Sequence, residues 1–461
     1  MTDLADLAAT ELLAAYRARR LSPRDVTEAV LARIEAWEPR LNATWAMDPA
    51  GARATARESE SRWARGEPIG ALDGVPVTIK ENIATKGTSI PLGTAATELV
   101  PATADAPPAA RVREAGAVIL GKTTMPDYGM LSSGVSSFHR LARNPWNTEC
   151  NPGGSSSGAG AAAAAGYGPL HLGTDIGGSV RLPAGWCGVV GLKPSAGRVP
   201  IDPPFIGRVT GPMTRSVADT ALLMSVLARP DARDHMSLPP SDIAWNDLGI
   251  VLKGLRIGLW MQAGIGSDAE PEVAACIAAA ARLFEQAGAI VEPLAPFLTP
   301  AMLAGLDIFW RTRSWSDFSQ LPPDRQAKVL PYIRTWIETA PGASGLEVYR
   351  GFNQIIEMSA ASVRACEPFD FVLSPTAPMP SYRADWASPL NDPARPFEHI
   401  GFTVAFNMSG QPAVSINAGY TASGLPIGLQ IVGRRFDDLG VLRMAKAWEG
   451  MRPEQHPWPR F

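Results

Sequence analysis

The stretch LGTDIGGSVRLPAGWCGVVGLKPSAGRV, residues 172–199, decides the fold of this chain and contains its most informative serine. Ser179 directly follows DIGG, residues 175–178. Two consecutive glycines allow successive backbone N–H groups to converge on one point, which is the geometry of an anion-binding nest. Such amides can stabilise the oxyanion that forms when a serine hydroxyl attacks a carbonyl. This pattern makes Ser179 a candidate nucleophile.

A serine nucleophile needs a group that accepts its proton, and no histidine lies near Ser179 in a distinctive setting. Lys80 lies in the apolar stretch GVPVTIKEN, residues 74–82. A lysine at its ordinary pKa near 10.4 is charged at neutral pH, but burial at the end of a strand lowers that pKa and supplies a neutral amine. Taken alone, Lys80 is better explained as a surface or salt-bridged lysine, and Gly-Gly-Ser as a turn.

Six segments form a distinctive set along the chain: GALDGVPVTIKENI (70–83), NPGGSSSGAGAAAAAG (151–166), the stretch 172–199, GPMTRSVADTALLMSVL (211–227), SPTAPMP (374–380) and GLPIGLQIVGRRF (424–436). Taken together in this order and spacing, they closely resemble the amidase signature family of serine hydrolases. The resemblance covers most of the chain, apart from the N-terminal helices and roughly residues 230–365.

The resemblance implies a Ser–Ser–Lys triad and assigns its members by position. Ser179 matches the nucleophile, Ser155 the bridging serine and Lys80 the base, with the peptide bond before Ser155 in the cis form. The remaining implied residues are the oxyanion-hole amides of Ile176, Gly177, Gly178 and Ser179, the substrate-contacting loop residues Met130, Leu131, Ser132 and Ser133, and the supporting residues Gly154, Ser156, Asp175 and Arg181. Neither a cofactor nor a metal is implied.

Strand-like and helix-like segments alternate along the chain, which predicts an α/β fold. With the resemblance, we expect a single domain with a central mixed, twisted β-sheet and helices on both faces. Residues 1–66 are predicted as an N-terminal helical segment, with Ser22-Pro23 starting its second helix, and 67–461 as the catalytic domain with core motifs in 70–220. A further helix is predicted over 214–229.

The variable region, about residues 301–365, is predicted to form the substrate pocket and is unusually aromatic. Core packing explains most aromatic side chains at helical spacing, but their density favours a pocket for small apolar or aryl amides. Carbamates, hydrazides and esters stay open as substrates. The alternatives are a ligand-binding scaffold without turnover and an amidotransferase A-type glutaminase subunit. The aromatic residues are Phe309, Trp310, Trp315, Phe318, Tyr332, Trp336, Tyr349 and Phe352.

Two further motifs suggest other functions, but neither has the neighbouring secondary structure that its function requires. GAVILGKT, residues 116–123, matches a nucleotide-binding loop, but its variable positions are apolar and form a strand, so we expect no phosphate at Lys122. Gly154 to Gly158 matches a nucleophile elbow, but a loop precedes it rather than a hydrophobic strand. A Ser-His-Asp hydrolase would need His399 or His456 as the base.

The composition is that of an ordinary globular protein: of 461 residues, 46% are hydrophobic and 19% are charged. The formal net charge is −3, so we expect no nucleic-acid partner.

Four scattered cysteines show neither metal-ligand spacing nor a disulfide pattern. Acidic residues near the N-terminus do not suit a signal peptide. We expect a cytoplasmic protein that acts on a small molecule without inserting into a membrane. A homodimer is left open.

Overall fold

One mixed sheet of eleven strands runs through a computed structural model of the chain, which describes residues 3–461. The strand order is β1-β3-β2-β4-β6-β5-β10-β11-β9-β7-β8. The strands are β1 (Thr44–Trp45), β2 (Pro76–Lys80), β3 (Val118–Thr123), β4 (Leu170–Asp175), β5 (Val190–Lys193), β6 (Val209–Thr214), β7 (Arg256–Leu259), β8 (Ile290–Pro293), β9 (Phe371–Pro375), β10 (Ala413–Tyr420) and β11 (Pro426–Gly433). Strand β2 is parallel to β3 and β4, and β7 is parallel to β8 and β9, whereas the other pairs are antiparallel. The predicted mixed α/β sheet is confirmed.

Helices connect most of these strands, and short 3-10 turns occur at Leu4–Asp6, Asp127–Gly129 and Ala340–Gly342. The α-helices are α1 (Ala9–Arg17), α2 (Pro23–Leu41), α3 (Pro49–Arg65), α4 (Pro107–Glu114), α5 (Ser157–Ala165), α6 (Arg181–Cys187), α7 (Val217–Leu227), α8 (Pro271–Gln286), α9 (Pro300–Ser319), α10 (Pro323–Gln326), α11 (Pro331–Ile337), α12 (Gly345–Cys366), α13 (Val404–Met408) and α14 (Asp438–Met451). Ser22 caps α2 as predicted, because its hydroxyl accepts the N–H of Arg24.

The predicted start of a helix at Thr214 is wrong. Thr214 is the last residue of β6, and α7 begins at Val217. Ser216 is the capping residue, since its side chain accepts the N–H of Asp219.

The two faces of the sheet bury separate hydrophobic cores, as strand periodicity requires. In β9, Phe371 and Leu373 belong to a core that includes Val441 of α14, while Val372 between them belongs to a second core with Ile355 of α12. Successive strand residues therefore face helices on opposite sides, which confirms the layered arrangement.

The N-terminal helices are attached to this body by pairing and by capping. Thr44 and Trp45 pair antiparallel with Thr123 and Lys122 at one edge of the sheet. At the start of α1, the Ala9 N–H donates to the buried carboxylate of Asp219 in α7. The boundary between residues 66 and 67 stays a prediction. Within residues 3–461 no helix is both long and apolar enough to cross a bilayer.

The parallel pairing of β2 with β4 positions the candidate site. Lys80 is the last residue of β2 and Asp175 the last residue of β4, and carboxyl ends of parallel neighbours meet at one edge of a sheet. The chain leaves β4 directly into the Gly-Gly-Ser loop. Helix α5 lies close by because its residues are small: a Cβ on Gly158 would stand 2.1 Å from the carbonyl oxygen of Ala43.

Candidate active site

Lys80 is fully buried and surrounded by hydroxyl groups. Its Nζ donates to Ser155 Oγ at 2.8 Å, to Thr174 Oγ1 at 2.9 Å and to Ser156 Oγ at 3.0 Å. Burial lowers the pKa of Lys80 to about 7, against the opposing effect of the Asp175 carboxylate. A substantial fraction of the amine is therefore neutral near pH 7 and can accept a proton.

A low lysine pKa does not by itself single out Lys80. Burial also lowers the pKa of Lys122 and of Lys193 to about 7. Lys122 donates to Ile83 O and Thr85 Oγ1, and Lys193 donates to a backbone carbonyl. Among these three lysines, only Lys80 contacts a serine, Ser155, that lines a cavity at the carboxyl ends of β2 and β4.

The three serines of the second motif have different surroundings. The peptide bond between Gly154 and Ser155 is cis, and Ser155 lines the cavity. Ser156 is fully buried, and its hydroxyl bonds to Lys80 Nζ and to the backbone of Thr174. Ser157 begins α5 and donates to Thr124 O, away from Lys80. The loop thus presents one serine to the cavity and uses the others internally.

Ser179 lines the same cavity as Ser155 and is tied to that loop through the backbone. The Ser156 N–H donates to the Ser179 carbonyl oxygen at 3.1 Å. Within residues 3–461, no hydrogen bond joins the Ser179 hydroxyl to Ser155 Oγ. Catalytic hydrogen bonds are often long in unliganded sites and tighten when substrate binds, so the two serines lie in a common site without a completed relay.

The loop between β4 and α6 presents free backbone amides beside Ser179. In the described part of the chain, the N–H groups of Ile176, Gly177 and Ser179 have no hydrogen-bond acceptor, and all three residues line the cavity. Gly178 differs, because its N–H donates to Asp175 Oδ1 at 2.8 Å and Gly178 does not line the cavity. The expectation that Gly178 contributes an oxyanion-hole amide is therefore corrected: three donors of the expected four remain.

A buried ion pair holds this loop in shape. Arg181 donates to both carboxylate oxygens of Asp175 at 3.0 Å, and both side chains are inaccessible to solvent. Burial acts to raise the pKa of Asp175, but the charge and hydrogen bonds of Arg181 outweigh it and hold that pKa well below its usual range. Arg181 also reaches α13 and β11 through Asn407 Oδ1 and Gln430 Oε1, so the loop is anchored to the sheet.

A cavity of about 610 Å³ opens over these groups. Met130, Leu131 and Ser132 line it, as expected for the loop that contacts substrate. Ser133 does not line it: the side chain is fully buried and its hydroxyl donates to Trp386 O at 2.7 Å. The Ser133 hydroxyl is therefore already used to fix the loop, and a substrate contact of Ser133 stays a prediction.

Comparison with known proteins identifies the family. A family model described as Amidase matches residues 25–442 of the chain. The chain belongs to the amidase signature family. Enzymes of this family hydrolyse carbon–nitrogen bonds, and this broad activity class follows from membership, whereas the substrate does not.

Named relatives of this amidase signature protein fall into more than one activity class. The chain is 35% identical to the A subunit of the glutamyl-tRNA(Gln) amidotransferase of Myxococcus xanthus (strain DK1622), with 97% of each chain covered. It is 33% identical to an acylamidase of Rhodococcus erythropolis, over 97% of this chain and 96% of that protein. A solved structure of a bacterial aryl acylamidase of the same family matches with a TM-score of 0.89 at 30% identity, covering 97% and 96% of the two chains.

The nucleotide-binding-loop match and the nucleophile-elbow match do not form the sites that they suggested. Lys122 lies within β3 and is buried, so the nucleotide-loop match is coincidental. His399 lines the cavity, but within residues 3–461 its Nε2 has no hydrogen-bond partner, and burial lowers its pKa to about 3. His456 stacks on Tyr420 outside the cavity. Neither histidine forms the Ser-His-Asp arrangement.

The aromatic residues of the variable region contribute less to the cavity than their number suggests. Only Trp310 and Trp336 of the eight line it. Phe309 packs on Phe352, and Tyr349 is 62% exposed. The aromatic density of the sequence therefore indicates mostly helix packing, with two indole rings in the pocket wall.

Sequence reasoning missed Thr174, Arg208 and Arg313, and it named Trp310 only as one of eight aromatic residues in the predicted pocket region. Thr174 contacts Lys80 and stands directly before Asp175, so its position at the end of the strand was an available signal. Trp310 lies against the loop between β4 and α6, since a Cβ on Gly177 would stand 3.1 Å from Trp310 Cη2. Arg208 and Arg313 line the cavity from a loop and from α9, and no motif marks either of them.

Proposed function

We propose that this protein is an amide hydrolase that forms an acyl-enzyme on Ser179. The observation that carries the proposal is the contact of the buried Lys80 amine with Ser155 Oγ at 2.8 Å, in a cavity that Ser155 shares with Ser179. A buried amine with a pKa near 7 is suited to general-base chemistry at neutral pH.

In the proposed reaction, neutral Lys80 accepts the proton of Ser155 as Ser155 accepts that of Ser179. Ser179 Oγ attacks the substrate carbonyl, and the amides of Ile176, Gly177 and Ser179 stabilise the oxyanion. The relay then returns a proton to the departing amine, and the C–N bond breaks. A water molecule deprotonated by the same relay releases the acid and restores Ser179.

We further propose small aryl or alkyl amides as substrates, with carbamates, hydrazides and esters as related activities. Support comes from the apolar side chains around the cavity, which include Leu92, Met125, Trp310, Trp336 and Ile400. Resemblance to an acylamidase and to an aryl acylamidase supports the same class.

The test is covalent labelling with a fluorophosphonate, followed by turnover of neutral acyl anilides. We expect labelling at Ser179 and its loss in Ser179→Ala, together with loss of turnover, while the variant unfolds at the wild-type temperature. An unlabelled wild-type protein that still binds anilides would support a scaffold without turnover. Labelling at another residue would contradict the proposed nucleophile.

A glutaminase component of the amidotransferase A type is the second candidate, because a relative of that description is 35% identical over 97% of the chain. The same assay distinguishes the two. Glutamine turnover that exceeds anilide turnover would favour the glutaminase, whereas anilide turnover without release of ammonia from glutamine favours the stand-alone amidase.

A further inference from the structure

Two arginines line the cavity that contains Ser179, and neither has a role in the proposed reaction. Arg208 lies just before β6, and Arg313 lies in α9. Both guanidinium groups lie over the ring of Phe205, with their Cζ atoms 5.4 Å and 4.8 Å from its centroid. An aromatic face at these distances orients the guanidinium planes and stabilises their charge.

Neither arginine has an acidic partner. Within residues 3–461, Arg313 makes no hydrogen bond or ion pair, and its Nε is buried without an acceptor. Arg208 makes one hydrogen bond, to the carbonyl oxygen of Pro203 at 3.3 Å. Asp202 and Asp317 also line the cavity, but both are exposed and neither comes within 4.0 Å of a guanidinium nitrogen. Exposed carboxylates are hydrated and compensate a partly buried cation only weakly.

Unpaired charge of this kind is costly unless something binds to it. Burial lowers the pKa of Arg208, to about 10, and that of Arg313, yet arginine at neutral pH remains charged in either case. Cations that are only weakly compensated in a partly buried wall are destabilising. The position of both arginines in the wall of the cavity that contains Ser179 points to an anionic group in the ligand.

We propose that Arg208 and Arg313 form a carboxylate subsite, so that the substrate is an apolar or aryl amide that also carries a carboxylate. The planar fork of each guanidinium matches a planar carboxylate. This inference rests on the proposed amide hydrolysis and narrows it: the indoles of Trp310 and Trp336 contact the apolar part, while the arginines select the charged part.

Paired substrates test the subsite on both sides of the amide. The first pair is the mono-para-nitroanilide of glutaric acid and the para-nitroanilide of isoheptanoic acid, which has an isopropyl group in place of the carboxylate. The second pair is the acetyl amides of para-aminobenzoate and para-isopropylaniline. We expect kcat/KM in at least one pair to favour the anion by roughly 10- to 100-fold, the range for a charge-assisted hydrogen bond.

Arg313→Met keeps an unbranched apolar side chain, shorter than that of arginine, and removes the charge. It should lower the anion-to-neutral ratio of kcat/KM roughly 10- to 100-fold, because only the anionic substrate loses a charge-assisted hydrogen bond. The matched control is Arg350→Met, which removes the same charge from an exposed position on α12 outside the cavity and should leave the ratio unchanged. Thermal unfolding of each variant verifies that it is folded.

The subsite and the hydrolase proposals fail in different ways. Turnover of the neutral members without any preference for an anion in either pair overturns the subsite and leaves the hydrolase intact. An equal loss for both members in Arg313→Met also overturns it. If no amide is turned over, calorimetric titration of the same pairs decides: tighter anion binding that Arg313→Met abolishes supports the subsite, and equal affinities contradict it.

Discussion

The amide nitrogen of Gly178 donates a hydrogen bond of 2.8 Å to the Asp175 carboxylate, three residues earlier in the chain. The same carboxylate accepts the N–H of Val180 and the guanidinium of Arg181. The loop before Ser179 is therefore folded around a buried charge. This arrangement uses one amide of the loop for structure and leaves its neighbours facing the cavity.

Asp175→Asn should destabilise the protein by about 3–5 kcal/mol, because it leaves the buried Arg181 charge without its partner. The change in free energy of unfolding can be measured by urea denaturation. The matched control is Asp385→Asn, which breaks an ion pair with Arg383 in which both side chains are more than half exposed. A loss in Asp175→Asn no larger than in this control would contradict the bracing role.

The pH dependence of activity should follow Lys80. With a neutral anilide, kcat/KM should rise with pH through a midpoint at about 7, because protonated Lys80 cannot accept a proton. Lys80→Met should lower kcat/KM by about 10²- to 10⁴-fold, the usual contribution of a general base. Lys122→Met is the control, since that pKa is also about 7 but its contacts lie elsewhere. If Lys122→Met shifts the midpoint of the pH profile and Lys80→Met does not, Lys80 is not the general base.

Stability should rise with pH above neutrality because of the buried lysines. Lys122 has a folded-state pKa of about 7 and an unfolded value near 10.4. Between those values the unfolded chain binds more protons, so the free energy of unfolding increases with pH. Lys122→Met should reduce this slope by up to about 1.4 kcal/mol per pH unit, the value for one proton. Urea denaturation between about pH 7 and pH 9 measures the slope. An unchanged slope would show that this amine is not neutral in the folded protein.

The two glycines of the loop should respond differently to a methyl group. A Cβ on Gly178 would meet Thr403 Oγ1 at 2.6 Å and Leu182 Cδ1 at 2.7 Å, at a φ of +132° that disfavours alanine. Gly178→Ala should therefore cost about 1–3 kcal/mol of stability. A Cβ on Gly177 would come closest to the edge of Trp310, at 3.1 Å, so Gly177→Ala should spare stability and lower kcat/KM for aryl amides. Equal stability losses in the two variants would contradict this distinction.

Much of the fold could be predicted because its signals are local. Ser22 before Pro23 marks the start of α2, and the apolar run before Lys80 is a strand with the lysine at its end. The start of α7 was misplaced because Thr214 and Ser216 are both suitable caps, and sheet pairing of Thr214 with Leu170 decides between them.

Part of the candidate site could also be predicted, because its signals are local in the sequence. Lys80, Ser155 and Ser179 lie in dense motifs, so a resemblance could assign them. The motifs did not show that the Ser133 hydroxyl bonds to a distant residue, or that the Gly178 N–H bonds to a neighbouring carboxylate.

The sequence by itself determined the α/β class, the family and the three residues proposed for the relay, because each depends on short-range pattern. Only the tertiary structure decided which groups are free to act. Burial lowered the lysine pKa, and long-range hydrogen bonds occupied some donors and left others open. Arg208 and Arg313 lie more than a hundred residues apart and line one cavity only because the fold brings both to Phe205.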